Sequence, residues 1–298
     1  MLKALLSFLI ASTLHATPMA DGDFAHKAAW QREPLLSVQP IPVTSEEITI
    51  PELSAGSALA IDLTSGIILY EKNTETQRPI ASLTKLMTAL IIAEEELPGS
   101  VVTISENAAS IEGSTLWLNT GEEITVKDLM YGMMIASGND AAMALAEYNA
   151  GSMENFVRKM NQKAEQLGLK NTNYANPMGF DSGYNYSTAR DLGLLSMYSL
   201  QNEFLMEPVD LVEYEIESKS GITHEYLSTN KLLDKDLGLE GVEVHGLKTG
   251  RTPDAGECLI TVSTFPDDQQ IMTVVLGSED RFGDTESLID WIYESTTW

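Results

Sequence analysis

The sequence predicts an α/β protein of the α+β type, an antiparallel sheet built from N- and C-terminal strands with a helical lobe inserted between them. Three observations predict it. Residues 57–71 are two strand-like runs around the turn Leu63-Thr-Ser-Gly66. Residues 126–200 read as mostly helical. Near the end, "GECLITVSTF" and "QIMTVVLGS" are two apolar runs joined by Pro266-Asp-Asp-Gln269. A chain of 298 residues, 43% of them hydrophobic, can bury a large core in one or two domains.

Taken in order, residues 1–20 read as an export signal. Lys3 gives a positive start, residues 4–14 are largely apolar, and Leu14-His15-Ala16 is a candidate cleavage site. The apolar run is shorter than the roughly 20 residues a bilayer requires. Residues 21–54 hold Pro34, Pro40, Pro42 and Pro51 and no lasting apolar period, so an extended arm or linker is expected. The folded domain then spans 55–298. Pro79 ends the first hairpin, Ser82 opens a helix, and Leu83–Glu96 is apolar enough to be buried, stopping near Pro98-Gly99. Further helices are expected near 126–135, 140–149, 152–167 and 188–200, the third bounded by Ser152 and Gly168. Residues 211–227 suggest a second hairpin around Lys219-Ser-Gly221. Leu288, Ile289, Trp291 and Ile292 mark a closing helix at 284–294.

The formal charge of −26 excludes nucleic acid and anionic lipid as natural partners, and no basic cluster offers a local exception. The single Cys258 excludes an intrachain disulfide framework. Four histidines, His15, His26, His224 and His245, leave little material for a Ser-His-Asp triad, and none has zinc-site spacing. No cofactor or metal is expected.

Chemistry enters at Ala81-Ser-Leu-Thr-Lys-Leu-Met87. Serine is a weak nucleophile unless a base lies within hydrogen-bond reach. Residues i and i+3 share a helix face, so Lys85 can stand beside Ser82. Burial among Leu86 and Met87 would lower the lysine pKa and make it a base. The helix start offers N–H groups to a developing oxyanion. The spacing alone is weak, since Ser228-Thr-Asn-Lys231 matches it too. Ser137-Gly-Asn139, between two helices, supplies a hydroxyl and an amide; Ser105-Glu-Asn107 and Ser228-Thr-Asn230 have the same spacing. Lys248-Thr249-Gly250, on an extended run, supplies a cation and hydroxyl for a substrate carboxylate and a glycine for close approach; Lys219-Ser-Gly221 competes with it. Order separates these matches: Ser82/Lys85 follows a hairpin, Ser137/Asn139 lies between helices, and Lys248-Thr-Gly opens the C-terminal strand block. Ser-x-x-Lys, Ser-x-Asn and Lys-Thr-Gly together are the set shared by β-lactamases and penicillin-binding proteins.

With these motifs the sequence resembles the low-molecular-weight penicillin-binding proteins, serine D-Ala-D-Ala carboxypeptidases, from about Ser57 to Trp291. The likeness includes "IDLTSGIILYEKN", "IASLTKLMTAL", "ASGNDAAMALAE", "STNKLL", "HGLKTGRTPDAGECLI" and "DRFGDTESLIDW". The resemblance implies a β-lactamase/DD-peptidase-like fold and an exported, periplasmic or extracellular, wall-associated enzyme. Its substrate would be the peptidoglycan stem peptide, and β-lactam antibiotics its covalent inhibitors. It further implies that Ser82 attacks the carbonyl between two D-Ala residues, that Lys85 takes its proton, and that Ser137 helps return it to the departing D-Ala. Lys248 would tune this relay. Asn139 would hold the substrate amide, Thr249 the terminal carboxylate with help from Arg281, and the Ser82 and Arg251 N–H groups would form the oxyanion hole, with Gly250 between them.

The best-known relatives carry a β-rich C-terminal domain and a terminal amphipathic helix. With the sequence ending at Trp298, neither is expected, nor a C-terminal membrane anchor. Some relatives without the extra domain are endopeptidases that cut D-Ala to diaminopimelate cross-links, so both activities stay open; the Ser-Gly-Asn-Asp context looks more like the carboxypeptidases. A class A β-lactamase would need a Glu and an Asn arranged otherwise than Glu165 and Asn171. A non-catalytic wall-binding protein would be expected to have lost one of the motif residues. Asp181 reads as a turn residue, Cys258, Trp117 and Trp291 as core, and Glu94-Glu-Glu96 as a solvated helix end.

Overall fold

The computed structural model describes residues 41–298. The expected export signal and residues 21–40 of the arm lie outside the described residues. The remainder of the arm contributes β1 (Val43–Thr44), and Leu53 near its end and Ala55 just beyond it are buried. The first hairpin is β2 (Ser57–Asp62) and β3 (Ile68–Lys72). Buried Asp62 shapes its turn, Oδ1 accepting from the N–H groups of Thr64 and Ser65 at 2.8 and 2.7 Å.

A short 3₁₀ turn, Ala81–Leu83, leads into α1 (Thr84–Glu95). Every residue from Thr84 to Ile92 is buried, so this helix forms the axis of the helical lobe instead of showing one face to water. Around it stand β4 (Val101–Thr103), α2 (Glu106–Ala109), β5 (Glu123–Thr125), α3 (Val126–Ile135), α4 (Asn139–Ala150) and α5 (Met153–Gln166). Thr125 and Ser152 cap α3 and α5, each accepting from the N–H three residues on. The antiparallel pair β4–β5 and the helix α2 have no counterpart in the sequence reading. Next come α6 (Ala189–Ser199), α7 (Glu203–Met206) and the hairpin β6 (Glu213–Glu217) with β7 (Thr223–Leu227), whose tip is Lys219-Ser-Gly221 as expected.

The C-terminal block is β8 (Glu243–Thr252), β9 (Gly256–Thr264), β10 (Gln270–Ser278), α8 (Arg281–Ser295) and β11 (Thr296–Thr297). The five-stranded sheet runs β3-β2-β10-β9-β8, antiparallel throughout, so strands from both ends of the chain do meet. Side-chain alternation splits the core across it. Leu59, Ile61, Met272 and Val274 face the helical lobe, while Ala60, Ile271, Ala58 and Val275 pack toward α8 with Ile289, Ile292 and Leu288. β1 pairs with β11, and Asp284 of α8 accepts from the Ser54 and Ala55 N–H groups at 2.9 and 2.8 Å. The segment before the first hairpin is thereby fastened to the closing helix. The edge strand β8 lies against the 3₁₀ turn, and the candidate site sits in that seam.

Candidate active site

Ser82 lies in the middle of the 3₁₀ turn, two residues before α1 begins, and is half-buried. The residue before it, Ala81, has φ of +47°, a left-handed conformation that a non-glycine side chain resists. Two contacts hold it there. Gly179 (φ +94°) comes so close that a Cβ would stand 2.0 Å from the Ala81 carbonyl oxygen. From the other side, a Cβ on Gly250 would lie 3.0 Å from the Ser82 nitrogen. Two glycines from two lobes thus clamp the turn that carries the serine.

Lys85 is fully buried. Its Nζ donates to Ser82 Oγ at 2.9 Å, to Asn139 Oδ1 at 2.7 Å and to the Met178 carbonyl at 2.8 Å. Burial above all, then the charge of Lys248, holds its pKa well below the usual ammonium range; the Asp140 carboxylate pulls the other way, less strongly. In its neutral form the amine keeps two N–H groups, enough for the Asn139 and Met178 oxygens, and turns its lone pair to the Ser82 hydroxyl, the arrangement a proton transfer from that hydroxyl requires.

Ser137 and Asn139 come from the α3–α4 junction, where Ser137 takes a φ of +63° and is buried. No hydrogen bond joins the Ser137 hydroxyl to Ser82 or Lys85 in this arrangement. Both ends of the Asn139 amide are engaged: Oδ1 by Lys85, Nδ2 donating to the Glu112 carbonyl at 2.9 Å. One lone pair and one N–H hydrogen remain for a ligand.

On the opposite wall, Lys248 and Thr249 are buried on β8. Burial first, and the Arg281 guanidinium second, push the Lys248 pKa down to about 7. Thr249 Oγ1 lies 2.6 Å from Thr229 Oγ1. Arg281, at the start of α8, donates from Nη1 to the Gly250 carbonyl at 2.8 Å and so braces the strand. The Arg251 side chain faces solvent beside Glu257, and its backbone pairs with Glu257 in the β8–β9 ladder. Of the nine residues singled out from sequence, Ser82, Lys85 and Asn139 are joined by hydrogen bonds, Lys248, Thr249, Gly250 and Arg281 stand together on and behind β8, the Arg251 side chain faces solvent, and buried Ser137 makes no bond to Ser82 or Lys85.

Other contributors were missed. Asp140, buried next to Asn139, accepts from the N–H groups of Leu116 and Leu118 at 2.9 and 3.2 Å and holds the 114–118 strand of loop against α4. Its signal was present in the run "SGND", but a single carboxylate after Asn139 looks like an ordinary first-turn residue. The loop 176–180 gives Lys85 its carbonyl partner. Asn176 Oδ1 folds it by accepting from the N–H groups of Met178, Gly179 and Phe180 at 3.2, 2.7 and 3.0 Å. Thr229 belongs to "STNK", a competing match whose lysine is exposed. The other competitors have plain structural roles: Ser105 caps α2, and Lys219-Ser-Gly221 is an exposed hairpin tip. Among the described residues no His/Cys/Asp/Glu group suits a metal ion.

A mixed sheet-and-helix fold with a serine–lysine pair in the seam between its lobes is the β-lactamase and DD-peptidase fold. Solved structures agree. A DD-transpeptidase from Streptomyces superposes with a TM-score of 0.75 at 30% identity, covering 83% of this chain and all of that one. Penicillin binding protein 6B from Escherichia coli gives 0.73 at 32%, covering 84% of this chain and 80% of that one. The chain belongs to the D-alanyl-D-alanine carboxypeptidase family, which matches residues 44–280. It is 37% identical to the D-alanyl-D-alanine carboxypeptidase DacF of Bacillus subtilis over 80% of its own length and 62% of that protein. It is 35% identical to a D-alanyl-D-alanine endopeptidase of Pseudomonas aeruginosa, over 81% and 78%. The chain therefore spans under two thirds of the length of the first carboxypeptidase relative.

Proposed function

We propose that this protein is an exported serine D-Ala-D-Ala carboxypeptidase that trims the terminal D-Ala from peptidoglycan stem peptides through an acyl-enzyme on Ser82. The single observation that carries the reading is the fully buried Lys85 amine, 2.9 Å from the Ser82 hydroxyl and depressed in pKa. Neutral Lys85 takes the Ser82 proton as Oγ attacks the scissile carbonyl. The Ser82 and Arg251 N–H groups receive the oxyanion, a contribution of about 3–4 kcal/mol per donor in enzymes of this kind. The proton returns to the departing D-Ala nitrogen by way of Ser137, with the Lys248 charge favouring the transfer. Thr249 grips the terminal carboxylate and Arg281 supports that grip, directly or by fixing Gly250. Asn139 offers its free amide valences to the substrate backbone. Water then cleaves the ester. A β-lactam follows the same path as far as the acyl-enzyme and stops there.

Similarity to endopeptidases favours a second reading, cleavage of D-Ala cross-links by the same serine. Incubating the protein with intact muropeptides and resolving products by mass separates the two. Loss of one D-Ala from pentapeptides supports the carboxypeptidase; conversion of cross-linked dimers to monomers supports the endopeptidase. Absence of both, with no penicillin adduct on Ser82, refutes the reading of the site.

A further inference from the structure

β8 is an edge strand, so the segment Lys248–Thr252 has a sheet neighbour on one side only. Toward the helical lobe two hydroxyl contacts fasten it, one near each end. Thr249 meets Thr229 at 2.6 Å. Three residues on, Thr252 Oγ1 donates to Asp181 Oδ1 at 2.5 Å, and the Asp254 N–H donates to Asp181 Oδ2 at 3.2 Å. Thr252 Oγ1 also accepts from the Ala255 N–H at 3.1 Å, so the carboxylate grips the whole β8–β9 turn.

Asp181 is not needed for the turn of its own loop. Asn176 already satisfies three successive N–H groups there, and Ser182 Oγ accepts from the Tyr184 N–H at 3.3 Å. Both oxygens of Asp181 reach across the seam instead. The loop is the one whose Met178 carbonyl receives the Lys85 amine, three residues before Asp181. One short piece of chain therefore touches the proposed base and the end of the strand next to Arg251.

We infer that Asp181 is a positioning residue for acylation, acting through Thr252 to set the Arg251 N–H at the right separation from Ser82. This rests on the proposed function. The expected leaving residue lies at Thr249 and the scissile carbonyl at Arg251, so the acyl-side peptide passes Thr252, where the bridge stands. Asp181 touches neither Ser82 nor Lys85; its effect is on where an oxyanion donor points. Donor placement matters at the scale of one ångström, at which rates change by up to about 100-fold.

The test compares Asp181→Ala, Thr252→Val, the double variant and Thr252→Ser. Four quantities are read: kcat and KM for D-Ala release from a peptide ending in D-Ala-D-Ala, affinity for a boronic-acid analogue of the acyl D-Ala, and the thermal midpoint. Asp181→Ala and Thr252→Val are each expected to lower kcat about 10-fold with KM within about two-fold, because the weakened donor acts mainly on the tetrahedral state. Boronate affinity falls in step. The double variant is no worse than either single one, as for two halves of one contact, and Thr252→Ser retains the wild-type rate. An unchanged kcat in Asp181→Ala overturns the inference. So do additive losses, or a kcat loss with boronate affinity intact. Should Asp181→Ala not fold, Asp181→Asn replaces it: the amide keeps an acceptor for Thr252 and loses the one facing Asp254. Wild-type protein without D-Ala release or a penicillin adduct overturns the proposed function itself, a result distinct from an active wild type beside an equally active Asp181→Ala.

Discussion

Replacing Lys248 with methionine is expected to make the fold more stable and acylation much slower. In the folded chain this amine is buried, and burial with the nearby Arg281 charge brings its pKa from 10.5 to about 7. In the unfolded chain it titrates near the ordinary value. That difference corresponds to about 5 kcal/mol. The sign follows from proton binding. Between pH 7 and 10.5 the unfolded state holds the proton and the folded state sheds it, so wild-type stability rises with pH across that window. Below pH 7 both states are protonated and the full penalty stands; above 10.5 it vanishes. At pH 7, with the folded amine half-titrated, the penalty is about 4 kcal/mol. Methionine has similar length and no charge, so Lys248→Met should gain most of this at pH 7 and little at pH 10.5. For a chain of this size the gain equals a rise in midpoint of about 10 °C. Urea unfolding of both proteins at pH 7, 9 and 10.5, with penicillin acylation measured alongside, reads the effect. A gain that does not shrink with pH, or a less stable variant at pH 7, refutes the reasoning.

The other predictions are these. Ser82→Ala should abolish both D-Ala release and penicillin labelling with an unchanged thermal midpoint or a small shift. Lys85→Ala should nearly match it, because nucleophile and base act as a unit; near-normal labelling would sink the relay. Gly250→Ala places a methyl 3.0 Å from the Ser82 nitrogen and 3.1 Å from the Ile80 carbonyl, so acylation should fall about 10- to 100-fold, measured with fluorescent penicillin. Asp284→Ala removes the acceptor shared by Ser54, Ala55 and Ser278 and should cost about 2–4 kcal/mol in urea unfolding. A loss below about 0.5 kcal/mol would mean that the segment before the first hairpin is held by other contacts.

What the sequence could tell depends on how local the cause was. Helix α3 matches its expected span because Thr125 and Asp128 start it within their own turn. That strands from both chain ends share one sheet was legible because their apolar runs each needed a partner; the order β3-β2-β10-β9-β8 was not. The site motifs were legible as a set, each one alone being matched elsewhere. Spacing says nothing of burial: Lys85 and Lys231 follow their serines at the same distance, yet one is enclosed by α4 and the 176–180 loop and the other is exposed. Likewise Ser82 does not open the α-helix; a 3₁₀ turn precedes it, forced by Gly179 and Gly250 from almost a hundred residues and more away. The β4–β5 pair is three residues a side, too short for its alternation to register. Asp181, read as a turn residue, spends its oxygens on a strand 71 residues later, a partner that no local pattern announces.

Cys258 sits opposite Gly250 in the β8–β9 ladder, has no exposed surface, and burial pushes its thiol up to about 11. While the ladder is closed, a thiol reagent finds neither access nor thiolate. Being the sole cysteine of the chain, it turns the native protein into its own stopwatch: the pace of alkylation reports the opening of the β8–β9 edge, with no residue changed.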